Sequence, residues 1–342
     1  MHVLRLSLPI LTAAILAACS PQNASAPQNA ASQPTSPAST PVAAGETKNL
    51  AITAITEHPA LDDIRYGLLE QLKTEGFEEG KNLKIDFQSA QGNPSTAAQI
   101  AKKFAGDKPD VIVPISTPSA QAVVATSKDI PIVYAGITDP IGAKLVSSWD
   151  ASGTNVTGMS NQMDVQPELD LMRELIPDLK AIGYVFSPGE VNSVTVLNQL
   201  REKAASHNIK IVDVPAQTTS DVLAAARSLK GKVQIIFTAH DNNVVAAYPS
   251  MYKAAVEMKI PLLAADSNSV GKGAALALGV NDYNLGKETG KMVAQVLRGK
   301  AAGEMPSQKM QDLELVISPK HAAEQGLTLP ESVLKRANKT VE

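Results

Sequence analysis

The sequence repeats its own plan. Residues 107–119 (DKPDVIVPISTPS) have a counterpart in 230–243 (KGKVQIIFTAHDNN), and residues 128–139 (KDIPIVYAGITD) in 258–269 (MKIPLLAADSNS). Ahead of these, residues 48–88 read as strand, loop, long helix, glycine and strand. Residues 180–215 run through the same order, with His207-Asn208 where the glycine stood. Three units of the first half therefore recur in order in the second. The shared Ile-Pro-apolar-apolar-x-Ala string goes beyond the rhythm of any alternating chain, and it predicts two homologous lobes.

Within each half, short β-branched runs alternate with amphipathic stretches. Strands are expected at 50–55, 83–87, 111–115, 132–134, 182–186, 209–214, 233–237, 261–263 and 274–278. Helices are expected at 59–75, 96–104, 118–126, 166–175, 192–207, 221–229, 242–258 and 284–297. Strands spaced by helices of this length imply α/β lobes, each a parallel sheet with helices on both faces. Ligands of open parallel sheets bind outside the carboxyl ends of the strands. Those ends are Thr56-Glu57-His58, Ser116-Thr117-Pro118 and Thr138-Asp139-Pro140 in the first half. In the second they are Ser187 to Glu190, Ala239 to Asn242, and Ala265-Asp266-Ser267. Facing lobes would bring these loops to one cleft that closes by hinge motion around a solute.

The loops carry Glu57, Asp139, Glu190, Asp241 and Asp266 but no Lys or Arg. Such a cleft repels phosphate and dicarboxylates and suits a ligand with a cationic group. Each acid also has a structural use: Asp241 can cap a helix starting at Asn242, and Asp139 can hold the turn before Pro140. The carboxylate of an amino acid would need a helix N-terminus instead of a basic side chain. Thr117 as N-cap with Pro118 first in the helix offers one, leaving the Ser119 and Ala120 amides toward the cleft, with the Ser116 and Thr117 hydroxyls beside them. His58-Pro59 repeats the device, with His58 as a donor or as a plain cap. Tyr134, Phe186 and Tyr248 could bring rings near the cleft, but they read first as core.

Composition narrows the function further. The 342 residues hold 31 Lys+Arg against 34 Asp+Glu, a net charge of −3, which gives no basic stripe for nucleic acid. The single cysteine, Cys19, excludes intrachain disulfides, CxxC redox sites and Cys-based zinc sites, and the five histidines form no HExxH. There is no GxSxG, P-loop or strand-to-helix GxGxxG. No catalytic residue, cofactor or metal is expected.

The N-terminus reads as an address. Residues 1–18 form a secretory signal: Arg5, then an apolar run over 6–18 that is too short to span a bilayer. Leu16-Ala17-Ala18-Cys19 resembles a bacterial lipobox, in which the cysteine after the cut is acylated; two or three acyl chains would anchor the protein stably. Residues 19–47 then form an Ala/Pro/Ser tether with little apolar bulk to bury.

Several motifs in order over residues 50–330 resemble the ABC-transporter substrate-binding lipoprotein family, which includes tryptophan/tyrosine-type and other amino-acid binders. They include Glu57-His58-Pro59-Ala60-Leu61-Asp62, Glu79-Gly80-Lys81-Asn82-Leu83, Ala90-Gln91-Gly92, Thr117 to Gln121, Thr138-Asp139-Pro140, Asn155 to Gly158, Pro188 to Ser193 and Asp241-Asn242. The resemblance implies a type I periplasmic-binding fold: two lobes, a hinge and three crossing segments. Lobe 1 would take residues 48–159 with a return segment at 281–303, and lobe 2 residues 160–279 with 310–342. It implies that Glu57, Thr117, Thr138, Asp139, Asn192, Ser193, Asp241 and Asp266 line the cleft. The loop chemistry adds His58, Ser116, Glu190 and Asn242 as ligand-binding residues. His240 departs from the family, where a small or hydroxyl residue is common. The implied role is capture of an amino acid, aromatic ones included, for the permease of an ABC importer, by an extracytoplasmic protein anchored through Cys19. A nucleoside or amine as solute, or a sensor role toward a signalling partner, are the alternatives.

Overall fold

The computed structural model describes residues 47–311 and 313–342; the expected signal segment, the Cys19 anchor and nearly all of the tether lie outside the described residues. In the first half, β1 (Lys48–Ala54), β2 (Leu83–Ser89), β3 (Val111–Ile115), β4 (Ile132–Ile137) and β5 (Val156–Ser160) alternate with α1 (Pro59–Thr74), α2 (Pro94–Asp107) and α3 (Thr117–Thr126). After α4 (Gln166–Leu175) come β6 (Ala181–Phe186), β7 (Lys210–Pro215), β8 (Ile235–Thr238), β9 (Leu262–Asp266) and β10 (Leu276–Val280). These alternate with α5 (Val191–Ala205), α6 (Val222–Arg227), α7 (Asn242–Ala246) and α8 (Tyr248–Met258). The remaining elements are α9 (Asp282–Leu297), β11 (Gln308–Lys309), β12 (Leu313–Ile317), α10 (Pro319–Glu324), α11 (Glu331–Arg336) and β13 (Lys339–Thr340).

The strands form two sheets. One has the order β11-β5-β4-β3-β1-β2, the other β13-β12-β10-β9-β8-β6-β7. The central run is the same in both: second, first, third, fourth and fifth strand of each half. All pairings among these ten strands are parallel, and β12 joins β10 antiparallel. Every residue of β3, β4 and β9 is buried, as strands covered by helices on both faces require. The order reverses between β1 and β3, and again between β6 and β8, so each lobe has a switch point where the loops diverge and leave a crevice.

The chain crosses between the sheets three times, after β5, β10 and β11. The second crossing carries α9 onto the first lobe, where Leu285, Met292 and Val293 join the core around β1 and β3. Glycines let α9 lie against α1 at backbone distance. A Cβ on Gly67 would stand 2.0 Å from the Tyr283 carbonyl oxygen, and one on Gly286 would stand 2.1 Å from that of Ile64. The second sheet has an apolar cluster on each face. No helix among the described residues is long and apolar enough to cross a membrane.

Local corrections follow from backbone chemistry. The helix expected over 242–258 is two, α7 and α8, broken at Ala247. Pro249 has no amide to continue the α7 ladder and instead opens α8. The tenth strand runs over Leu276–Val280, two residues later than expected, with a register shift against β9 between Ala277 and Val280. β5 was absent from the expected strands because Thr157 and Ser160 look like surface residues. Both are buried, their hydroxyls donating to the carbonyls of Met305 and Ile137. Tyr134 and Tyr248 are core residues, and Phe186 packs against the core of the second lobe.

Candidate functional site

A narrow cavity lies between the two lobes at their switch points. From the first lobe, His58 follows β1, Ser116 and Thr117 follow β3, and Thr138 follows β4. Asn192, Asn242 and Asp266 come from the loops and helix starts after β6, β8 and β9. These seven of the expected residues meet there. Ala60, Leu61, Ile64 and Val245 supply apolar wall, and Gly136, Asn161, His240 and Asp282 complete the lining. The lining contains no Lys or Arg.

At the first lobe's switch point the N-cap of α3 is Ser116, one residue earlier than expected, with φ 76° and ψ 154°. That region is nearly reserved for glycine and costs on the order of 1–3 kcal/mol. It is held by the Ser116 amide donating to the Ala135 carbonyl (3.0 Å) and the Ser116 carbonyl accepting from the Ala120 amide (3.0 Å). The Ala120 amide is therefore used inside the helix and does not face the cleft. Pro118 has no amide, which leaves those of Thr117 and Ser119 without a helical acceptor. The hydroxyls of Ser116, Thr117 and Ser119 are buried without a hydrogen-bond partner. A strained turn, free first-turn amides and unpaired hydroxyls together suit an anionic group.

The acids divide by what their oxygens hold. Asp241 is 1% exposed and lies outside the lining. It accepts from the Ser187 amide (2.6 Å), the Ser187 hydroxyl (2.8 Å) and the Val244 amide (3.0 Å), so it caps α7 and ties it to the loop after β6. Asp139 holds its own turn through the Gly142 amide (2.8 Å) and reaches Thr195 of the other lobe at 3.5 Å. Glu57 is exposed, and Ser193 is buried against Tyr184, whose hydroxyl donates to its carbonyl. Of the residues expected at the cleft, Glu57, Asp139, Glu190, Ser193 and Asp241 are not in the lining of this cavity.

Glu190 lies behind the wall. One of its oxygens, Oε2, accepts from Asn192 Nδ2 (2.8 Å), the Asn242 amide (3.1 Å) and Asn242 Nδ2 (2.6 Å). Burial, helped by the charge of Asp241, pushes its carboxyl up to about 7. Asn192 Nδ2 also donates to the His240 carbonyl (2.7 Å), and its Oδ1 is left buried and unpartnered. Asp266 accepts from the amide and hydroxyl of Ser269 (2.9 and 2.7 Å).

Two imidazoles and one carboxyl remain. Burial holds His58 and His240 below the usual histidine range, against the pull of Asp266, so both are neutral at pH 7. Neither ring nitrogen of His58 closes a hydrogen bond of normal geometry, although Asn242 stands near. Asp282 begins α9, is 2% exposed, and neither of its oxygens has a partner. Burial, then Asp266 and Asp63, raise its pKa well above the carboxylate range. Among the described residues no group of His, Cys, Asp or Glu is placed to hold a metal ion.

Sequence reasoning passed over Asn161 because β5, which it follows, went unseen. It passed over Asp282 because the tenth strand was ended two residues early, which hid the polar pair Asn281-Asp282 at its true carboxyl end. His240 sat inside a loop already singled out.

Strand ends of two like lobes converging on one polar cavity define a two-lobed protein that binds a small molecule. The chain belongs to the family described as ABC transporter substrate binding protein, which matches residues 49–341. Its members are binding proteins and not enzymes. The tyrosine-binding protein of Clostridioides difficile (strain R20291) is 38% identical over 271 residues, 79% of each chain. An ABC domain in complex with L-Trp from Streptococcus pneumonia superposes with a TM-score of 0.83 at 31% identity, covering 86% of this chain and all of that one. A ligand-free, open substrate-binding protein with adhesive properties from Clostridium difficile gives a TM-score of 0.66 at 37% identity, covering 86% and 99%.

Proposed function

We propose that this protein captures an amino acid as its zwitterion in the interlobe cavity and delivers it to the membrane permease of an ABC importer. The observation that carries the reading is the pattern of unsatisfied polar atoms. Unpaired hydroxyls at the α3 N-terminus suit a carboxylate, and the unpaired acceptors Asn192 Oδ1 and Asp282 Oδ1 and Oδ2 suit an ammonium. Buried polar atoms are rarely left unpaired, so a cluster of them around one cavity calls for a ligand. The absence of Lys and Arg from the lining disfavours phosphates and dicarboxylates.

Support for an aromatic side chain comes from the relatives. The tyrosine-binding protein and the tryptophan complex make L-tyrosine and L-tryptophan the first ligands to test. The cavity wall itself offers Leu61, Ile64 and Val245 with two neutral imidazoles, and no Phe, Tyr or Trp. The better superposition on the tryptophan complex than on the open protein, at lower identity, supports a closed arrangement of the lobes here. In this reading Cys19 carries the lipid anchor and residues 20–47 hold the lobes off the membrane, outside the cytoplasm where ABC importers collect solutes.

The test is calorimetric titration of refolded, ligand-stripped protein with the twenty amino acids. Saturable binding of L-tyrosine or L-tryptophan is the expected result. Silence with all twenty removes the amino-acid reading. Radiolabelling of the intact protein in cells fed tritiated palmitate, lost in Cys19→Ser, tests the anchor.

A further inference from the structure

We propose that Asp282, on the segment crossing from the second lobe back to the first, is the residue that selects a ligand bearing an ammonium group. The inference rests on the amino-acid reading and deepens it. Sequence chemistry pointed to acids at the strand ends, and the geometry removes most of them. Asp241 and Asp139 hold the amides of their own turns, and Glu190 holds Asn192 and Asn242. Asp266 shares its oxygens with Ser269. Asp282 alone among the acids of the lining has both oxygens free.

Its position explains why. Asn281 is the N-cap of α9 and its side chain accepts from the Asn284 amide at 2.9 Å, so the cap bond that would occupy an acid is already made. Asn268 stands near Asp282 without a hydrogen bond of normal geometry. No Lys or Arg lines the cavity to neutralise the carboxylate. A buried carboxylate with neither donor nor counter-ion is costly, and an ammonium supplies both at once. A carboxyl held this way discriminates sharply, because a ligand lacking the amine leaves it as unsatisfied as before.

The test pairs a variant with a ligand analogue. Wild type and Asp282→Asn are titrated with L-tyrosine and with its des-amino analogue 3-(4-hydroxyphenyl)propanoate, and likewise with L-tryptophan and indole-3-propanoate. The substitution is isosteric, and a melting curve of the ligand-free variant establishes that it folds; Asp282→Ser repeats the comparison if the amide is not accommodated. The expected result is a loss of about 10- to 100-fold for the amino acid in the variant, with the des-amino analogue unchanged or tighter. Amino-acid affinity within threefold of wild type overturns the inference while leaving the amino-acid reading standing. Equal losses on both ligands also overturn it, since they mark a structural role. If wild type binds no amino acid, the broader reading fails and takes this one with it.

Discussion

Asp241→Ala separates a residue that binds ligand from one that holds the fold. The carboxylate is 1% exposed and accepts three hydrogen bonds, two from backbone amides and one from the Ser187 hydroxyl. Alanine takes the acceptor from all three donors, and the Ser187 hydroxyl keeps only the bond it accepts from Asn243 Nδ2 (3.0 Å). Bonds to a buried charge contribute about 1.5–3 kcal/mol each at most, and a lost cap costs about 1 kcal/mol. One effect runs the other way. The charge of Asp241 helps push Glu190 up to about 7, so its removal eases the ionisation of Glu190. The net expectation is a loss of about 2–4 kcal/mol of stability. The assay is urea unfolding followed by circular dichroism, with calorimetric titration of L-tyrosine or L-tryptophan at low temperature, where the variant is folded. The midpoint should fall, and the folded variant should bind within about tenfold of wild type, since Asp241 does not line the cavity. Unchanged stability with abolished binding would refute the reasoning and return this carboxylate to the ligand.

Glu190 should behave in the opposite manner. Glu190→Ala frees Asn192 and Asn242 from their shared anchor and should weaken ligand binding by about tenfold or more, with Glu190→Gln recovering part; wild-type affinity in both variants would refute its positioning role. Glu168, 1% exposed and pushed by burial to about 8, binds a proton in the folded protein at a pH where the unfolded chain, near the ordinary value of 4.5, has released it. Its contribution to stability is therefore full below 4.5 and is lost as the pH rises toward about 8. Urea midpoints at pH 5 and pH 8 should show wild type weakening on going up and Glu168→Gln weakening less; identical slopes would exclude this assignment. Gly286→Ala puts a methyl 2.1 Å from the Ile64 carbonyl oxygen, so α9 must part from α1, at a cost of about 1–3 kcal/mol or more in a thermal melt. Because Ile64 also lines the cavity, the same variant should bind more weakly.

The architecture was legible because it rests on patterns that many residues share. Apolar strands covered on both faces and helices with one buried stripe leave a periodic trace, and the Ile-Pro repeat marks β4 and β9 as counterparts in the two sheets. Elements whose buried positions are polar left none. Thr157 and Ser160 of β5 are satisfied by carbonyls distant in sequence, a pairing that only the folded chain shows. At the cavity, a strand's end locates a loop, but the side chain that turns inward depends on the loop's own bonds. In the loop after β8 the sequence points to Asp241 and Asn242, and the cavity is lined by Asn242 and His240. Neighbours in a loop point opposite ways, and sequence alone does not say which one turns inward.

The acids show what decides this. An acid at a helix N-cap finds amides two or three residues ahead, and local geometry claims it before any ligand arrives. Asp241 and Asp266 occupy cap positions and make such bonds. Asp282 lies one residue inside its helix, behind an asparagine that already caps it, and its carboxyl is left with nothing local to accept. The physical criterion for a ligand-facing acid in a fold of this kind is therefore an acid displaced from the cap, at the true carboxyl end of a strand, in a wall without cations. Replacing the cap tests the criterion: Asn281→Ser should leave ligand affinity near wild type, because serine caps as well as asparagine and sets no second carboxylate against Glu314, which accepts from Asn281 Nδ2 (3.1 and 3.2 Å). A gain or loss beyond tenfold would mean that position 281, too, addresses the ligand, and the displacement argument would fall.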